Sequence, residues 1–109
     1  MKHAVVCHFR EKGLKVRMES IRLGNTMIDG EVEGKSWRMA LEIKTPTDDL
    51  TRGLSQLAEA KAFGYKNVAL VTSFRAAKRI DPTIFEQLGL VSLGVDSKGM
   101  VHQIYPTYA

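Results

Sequence analysis

The segment from Trp37 to Lys44 constrains the chain most. Trp37, Met39, Leu41 and Ile43 are apolar, and Arg38, Glu42 and Lys44 are charged, with Ala40 between them. Such strict alternation predicts a half-buried strand with its apolar side on the core. Glu42 and Lys44 leave the other face, separated by roughly 6.5–7 Å of strand rise. A carboxylate and an ammonium so placed can reach one point above the sheet, where a metal ion and a water can be held. Taken alone, an acidic-x-Lys triplet also describes a solvated strand face with a cross-strand ion pair.

A second strand is predicted over Asn25–Glu33, and Gly34-Lys35 supplies the turn of a hairpin. Ile28 and Val32 mark its buried parity, so Met27, Asp29, Glu31 and Glu33 share the other side. Glu31 and Glu33 are expected in solvent near the hairpin tip. Asp29 is expected mid-strand beside Glu42, with Gly30 permitting a close approach or a bulge. Two carboxylates converging near one lysine make a Mg²⁺-type site of hard oxygen ligands, with positions left for water and phosphate.

After Lys44, Pro46 ends the ladder and Thr47 or Asp48 is the expected cap of a helix. Leu50, Leu54, Leu57, Ala58 and Ala62 form its predicted apolar face, and Gln56 borders that face. The order Asp29, then Glu42-Ile43-Lys44, then a helix carrying Gln56 resembles the PD-(D/E)XK nuclease superfamily. That resemblance covers nearly the whole chain. It implies a restriction-endonuclease-like α/β fold of order αβββαβ plus a C-terminal helix and hairpin, with a central mixed sheet of about four to six strands flanked by helices.

The same resemblance implies a metal-dependent (deoxyribo)nuclease, with Asp29, Glu42, Lys44 and Gln56 catalytic. Asp29, Glu42 and the backbone carbonyl of Ile43 would bind Mg²⁺, with Mn²⁺ as substitute. Gln56 would hold the metal-bound water or a phosphate; a plain surface glutamine is the alternative. In the family an opening helix often supplies another acid. Glu11 is the one acid in the opening helix here and matches poorly, so Glu19 is the further acidic candidate, against a salt bridge with Arg17 or Lys15. The rival function is a catalytically lapsed module of the same fold that binds nucleic acid or a partner protein.

The remaining chain reads as a helix over Lys2–Lys12 closed by Gly13, then a strand from Leu14 with a phase slip near Ser20 that predicts a bulge. Val68–Thr72 is a continuous apolar run, fit for a strand buried on both faces and parallel to the Glu42 strand through a right-handed crossover. Ser73–Lys78 reads as a loop or a helical turn. A helix from Pro82 to Leu88 ended by Gly89, and a terminal hairpin with its turn at Asp96–Gly99, complete the chain.

With 109 residues, 44% hydrophobic and 26% charged, the composition fits one domain over 1–109 with one core, at a size where a homodimer is a ready way to bury more surface. Sixteen Lys and Arg against 12 Asp and Glu give a net charge of +4, which suits a polyanionic partner such as DNA. Lys15, Arg17, Arg22, Arg75, Lys78 and Arg79 are the candidate phosphate contacts. One cysteine, Cys7, excludes an intrachain disulfide, and the three histidines lack zinc-type spacing. With no signal or membrane-spanning segment in the sequence, a cytoplasmic protein is expected.

Overall fold

The computed structural model describes residues 1–45 and 49–106. Helix α1 (Lys2–Arg10) is followed by β1 (Lys15–Arg17), β2 (Ile21–Leu23), β3 (Thr26–Ile28), β4 (Gly30–Glu33) and β5 (Arg38–Ile43). Then come α2 (Leu50–Ala62), β6 (Asn67–Ser73), α3 (Phe74–Arg79), α4 (Pro82–Leu88), β7 (Val91–Val95) and β8 (Val101–Tyr105). Six strands form one mixed sheet in the order β1-β4-β5-β6-β7-β8, and β2 and β3 form a separate ribbon.

Helices cover both faces of this sheet. On one side Val5 and Phe9 of α1 meet Val32, Met39, Leu41, Ala69, Val71, Leu93 and Val95. On the other, Leu57 and Ala60 of α2 and Phe85 of α4 meet Ile28, Ala40, Tyr65, Val68, Leu70 and Leu90. The run in β6 is therefore buried on both faces. It pairs parallel with β5 and β7, as the helical crossover through α2 requires. β4 and β5 form the expected antiparallel hairpin.

Several sequence expectations change. Trp37 lies outside β5, in the Gly34–Trp37 turn closed by the Gly34 N–H to the Trp37 carbonyl at 2.9 Å. Its indole covers Gly34, where a Cβ would come within 2.4 Å of the ring. The phase slip near Ser20 is a change of sheet rather than a bulge: β1 pairs with β4, whereas β2 pairs with β3. The long second strand is likewise two strands, and Asp29 stands at the break. Glu31 is buried, because the face expected in solvent lies under Tyr65; Arg17 at 3.2 Å and Arg38 at 3.5 Å compensate its charge. On α2 the buried residues are Gly53, Leu57 and Ala60, while Ala58 and Ala62 are exposed. The cap of α2 is Asp49, which accepts the Arg52 N–H at 3.3 Å; Pro46, Thr47 and Asp48 lie outside the described residues.

α3 resolves the loop-or-turn segment as a helix capped by Ser73, which accepts the Ala76 N–H at 3.2 Å. α4 begins with Pro82 behind the Asp81 cap and ends at Gly89, whose φ of +64° is the left-handed geometry that glycine takes most easily. Among the described residues no helix is long and apolar enough to cross a membrane.

Candidate active site

β5 carries Glu42 on the α2 side of the sheet, the same side as Ala40. Glu42 is 2% exposed, so the face expected to be open is roofed by α2. Asp29 reaches it from the break between β3 and β4. The Asp29 N–H donates to the Leu41 carbonyl at 3.0 Å, which extends the β4–β5 ladder one residue past β4. Its Oδ2 accepts the Ile43 N–H at 2.7 Å. These two bonds fix Asp29 at the end of the hairpin, where β3 and β4 part.

Gly30 makes that position accessible. A Cβ there would lie 2.7 Å from the Arg17 carbonyl oxygen and 2.7 Å from the Met18 sulfur, so β1 passes too closely for any side chain. The Ile43 carbonyl leaves β5 on the same side as its N–H, toward Asp29.

Lys44 follows β5 directly, with its N–H bonded to the Val71 carbonyl at 2.9 Å. Its Nζ lies 3.6 Å from Glu42 Oε1, and its side chain is 14% exposed. The stem crosses α2 at Gly53, where a Cβ would come within 2.9 Å of Lys44 Cε and 3.1 Å of Cγ. Gln56, one turn of α2 after Arg52, donates from Nε2 to the Met27 carbonyl at 3.1 Å. Its Oε1 is buried and has no hydrogen-bond donor.

Glu42 Oε2 is also buried without a donor. Its near neighbour is the Asp29 carboxyl, another acceptor, and two carboxylates cannot both be ionised at such a contact without strong repulsion. Burial, then the hydrogen bond with and the charge of Asp29, push the Glu42 carboxyl up to about 8, and Lys44 pulls in the other direction. A proton on Glu42 satisfies the contact; so would a cation.

The residues present fit a hard divalent cation of the Mg²⁺ kind. Among the described residues no group of three or more His, Cys, Asp or Glu could hold a metal. Mg²⁺ does not need one, since it commonly takes one or two carboxylates and completes its shell with water and phosphate. Asp29 and Glu42 could supply those carboxylates and Ile43 a neutral backbone carbonyl; the Gln56 carboxamide lines the same cleft as Asp29.

Other sequence candidates stand elsewhere. Glu19 is exposed and paired with Arg17 at 3.4 Å. Glu11 ends α1, on the opposite face of the sheet from Glu42, so the opening helix does not bring an acid to this point. Lys15 and Arg17 are exposed on the edge strand β1, with Arg17 tied to Glu19 and Glu31. Arg75, Lys78 and Arg79 lie on α3, which starts from the carboxyl end of β6, the same edge at which β5 delivers Lys44. Arg22 lines a cleft of about 440 Å³ together with Asp29, Arg52 and Gln56.

Two residues escaped the sequence reading. Gly53 had a signal, since a helix-interior glycine costs about 0.5–1 kcal/mol relative to alanine and implies a close neighbour. Arg52 had none, because one arginine on a solvated helix face looks like any other.

No family model matches the chain, and no curated protein sequence matches it. Two solved structures share its fold. The crystal structure of an XisH family protein from Nostoc punctiforme PCC 73102 superposes with a TM-score of 0.70 at 13% identity, covering 93% of this chain and 94% of that one. SfsA of Pyrococcus furiosus in complex with Ca²⁺ gives a TM-score of 0.51 at 16% identity over 94% of this chain, which spans 58% of the SfsA chain. Both neighbours are nuclease-like folds, and the mixed six-stranded sheet flanked by helices belongs to that restriction-endonuclease-like class.

Proposed function

We propose that this chain is a metal-dependent nuclease that hydrolyses phosphodiester bonds in DNA. The observation that carries the reading is the buried Glu42 Oε2, without a donor and beside Asp29, at the sheet end where Lys44 emerges. A buried acceptor facing another acceptor is costly unless a proton or a cation lies between them. The SfsA neighbour, described with Ca²⁺, is consistent with a hard cation on this fold.

When bound, Mg²⁺ or Mn²⁺ would supply charge neutralisation at the phosphate and a water of lowered pKa. Asp29 and Glu42, with the Ile43 carbonyl, would hold that ion. The Asp29 carboxylate is oriented for this by the Ile43 N–H, which occupies only one side of Oδ2. Lys44 holds the attacking water and stabilises the negative charge that develops on the phosphate. Its stem is braced by Gly53, so the ammonium has little room to wander. Gln56 accepts a hydrogen bond from the same water through Oε1, while its Nε2 is anchored to Met27.

The test is incubation with linear, supercoiled, single-stranded and branched DNA in Mg²⁺, Mn²⁺ or EDTA, with Glu42→Ala and Lys44→Ala as controls. Metal-dependent cleavage lost in both variants supports the reading. DNA binding without cleavage in any metal would instead identify a lapsed site on a binding module. Cleavage that persists in a clean Glu42→Ala preparation would remove the site assignment.

A further inference from the structure

Between Arg17 and Gly30 the chain leaves the main sheet to build the β2–β3 ribbon, and that ribbon is clasped to α2. Gln56 bonds the Met27 carbonyl, and the Phe63 ring covers Gly24, where a Cβ would come within 2.4 Å of it. Ile21, Leu23 and Ile28 turn to the core on this side of the sheet. Cross-strand partners share a face, so Arg22 and its partner Met27 turn outward together. Across from them α2 presents Arg52, Gln56 and Glu59, which share a helix face at their spacing. The result is a cleft of about 440 Å³ that Asp29 also lines.

We propose that this cleft seats the DNA strand adjoining the scissile bond, with Arg22 and Arg52 each holding a backbone phosphate and Met27 offering an apolar surface to its sugar or base. The proposal rests on the nuclease reading for its substrate. Three observations carry it. The Arg52 guanidinium has no hydrogen bond or ion pair among the described residues, and Arg22 has one long bond, 3.5 Å to the Gly24 carbonyl. Both are therefore free to take a phosphate, unlike Arg17, which is held by two glutamates. Met27 is 43% exposed, an unbranched apolar side chain standing in an otherwise polar cleft.

Charge sets where the phosphate sits. Asp29 and Glu59 also line the cleft. Glu59 is nearly two helical turns from Arg52, roughly 10 Å along α2. A phosphate at the amino end of α2 is thus drawn to Arg52 and kept from Glu59, while Arg22, bonded to Gly24 under Phe63, stands ready for a phosphate further along the strand. Arg52 stands in the first turn of α2, the same end of the helix at which Gly53 meets the Lys44 stem.

The experiment uses the full chain, a labelled DNA oligonucleotide in single-stranded and duplex form, and the variants Arg22→Gln, Arg52→Gln and their combination. Both arginines are exposed, so the fold should be retained, which thermal unfolding checks. Affinity is measured in EDTA across a salt series, and kcat and KM are measured in Mg²⁺. Each single variant should weaken binding about tenfold, the loss expected for a charge-assisted contact. The double variant should lower the slope of log affinity against log salt by about 2, with most of the kinetic loss in KM. Glu42→Ala should leave this arginine dependence intact. If the wild type binds DNA with that dependence but never cleaves it, the cleft stands and the nuclease reading fails. Wild-type affinity and slope in the double variant would overturn the proposal, as would absence of DNA binding at low salt. An equal loss from Lys66→Gln, at the amino end of β6, would show that only bulk charge is being read and would overturn it too.

Discussion

Replacing Glu42 by glutamine keeps the shape of the side chain, removes its titration and gives Asp29 a permanent donor. In the wild type, folding raises this carboxyl from 4.5 to about 8, first by burial and then through Asp29. A group that holds its proton more tightly when folded contributes stability below its unfolded pKa and loses that contribution as the pH rises through the folded value. The window is therefore pH 4.5 to about 8, with stability falling as the pH rises. At about 1.4 kcal/mol per pH unit, roughly 4 kcal/mol of wild-type stability disappears across that window in the absence of metal. Urea unfolding in EDTA at the two ends, read as wild type minus Glu42→Gln, isolates this effect. Groups that titrate in both proteins cancel, among them His8, whose pKa burial lowers. Mn²⁺ at the alkaline end should restore the wild type and leave the variant unchanged, because a cation then replaces the missing proton. Parallel stability profiles for the two proteins would show that Glu42 is not held protonated against Asp29, and the account of the site would fall with them.

Gly53→Ala gains about 1 kcal/mol of helix propensity but drives a methyl into the Lys44 stem. Unfolding free energy should change by less than about 1 kcal/mol while kcat falls at least tenfold, and undiminished kcat would show that the brace is irrelevant. Lys44→Ala should lower kcat by about 10²–10⁴-fold, with DNA affinity in EDTA retained; a loss of affinity as large as the loss of rate would move Lys44 from chemistry to binding. Gly30→Ala places a Cβ against the Arg17 carbonyl, so denaturant unfolding should show a loss of about 1–3 kcal/mol, and wild-type stability would mean that β1 and β4 are not so close. DNA affinity should fall steeply with salt, and a flat salt profile would remove nucleic acid as the partner.

The order of elements was legible because each carried its own local signal: alternation in β5, an unbroken apolar run in β6, Pro82 and Gly89 bracketing α4. Asp29 and Glu42 were legible as neighbours because hairpin geometry alone places their strands side by side. What the sequence concealed was depth. The polar parity of β5 suggested solvent, yet α2 and Tyr65 close over that face, so Glu31 and Glu42 are buried carboxyl groups rather than surface ones. Alternation reports which residues share a face and is silent about what lies on it. The phase slip near Ser20 was visible too, but a bulge and a change of sheet leave the same trace in the pattern. Distinguishing them needs the pairing partner, which is a tertiary fact.

The ribbon departs after Arg17 and returns at Gly30, two points held in contact by the main sheet, where the Arg17 carbonyl meets the space a Gly30 side chain would fill. Its ends are thus pinned whatever lies between them. Closing a longer excursion over such a pinned base costs about 0.6 kcal/mol for each doubling of length. Asp29 is secured from the other direction, by its bonds to Leu41 and Ile43. Mutation and insertion can therefore reshape the ribbon, and with it the wall of the cleft it lines, without moving the carboxylate at its foot.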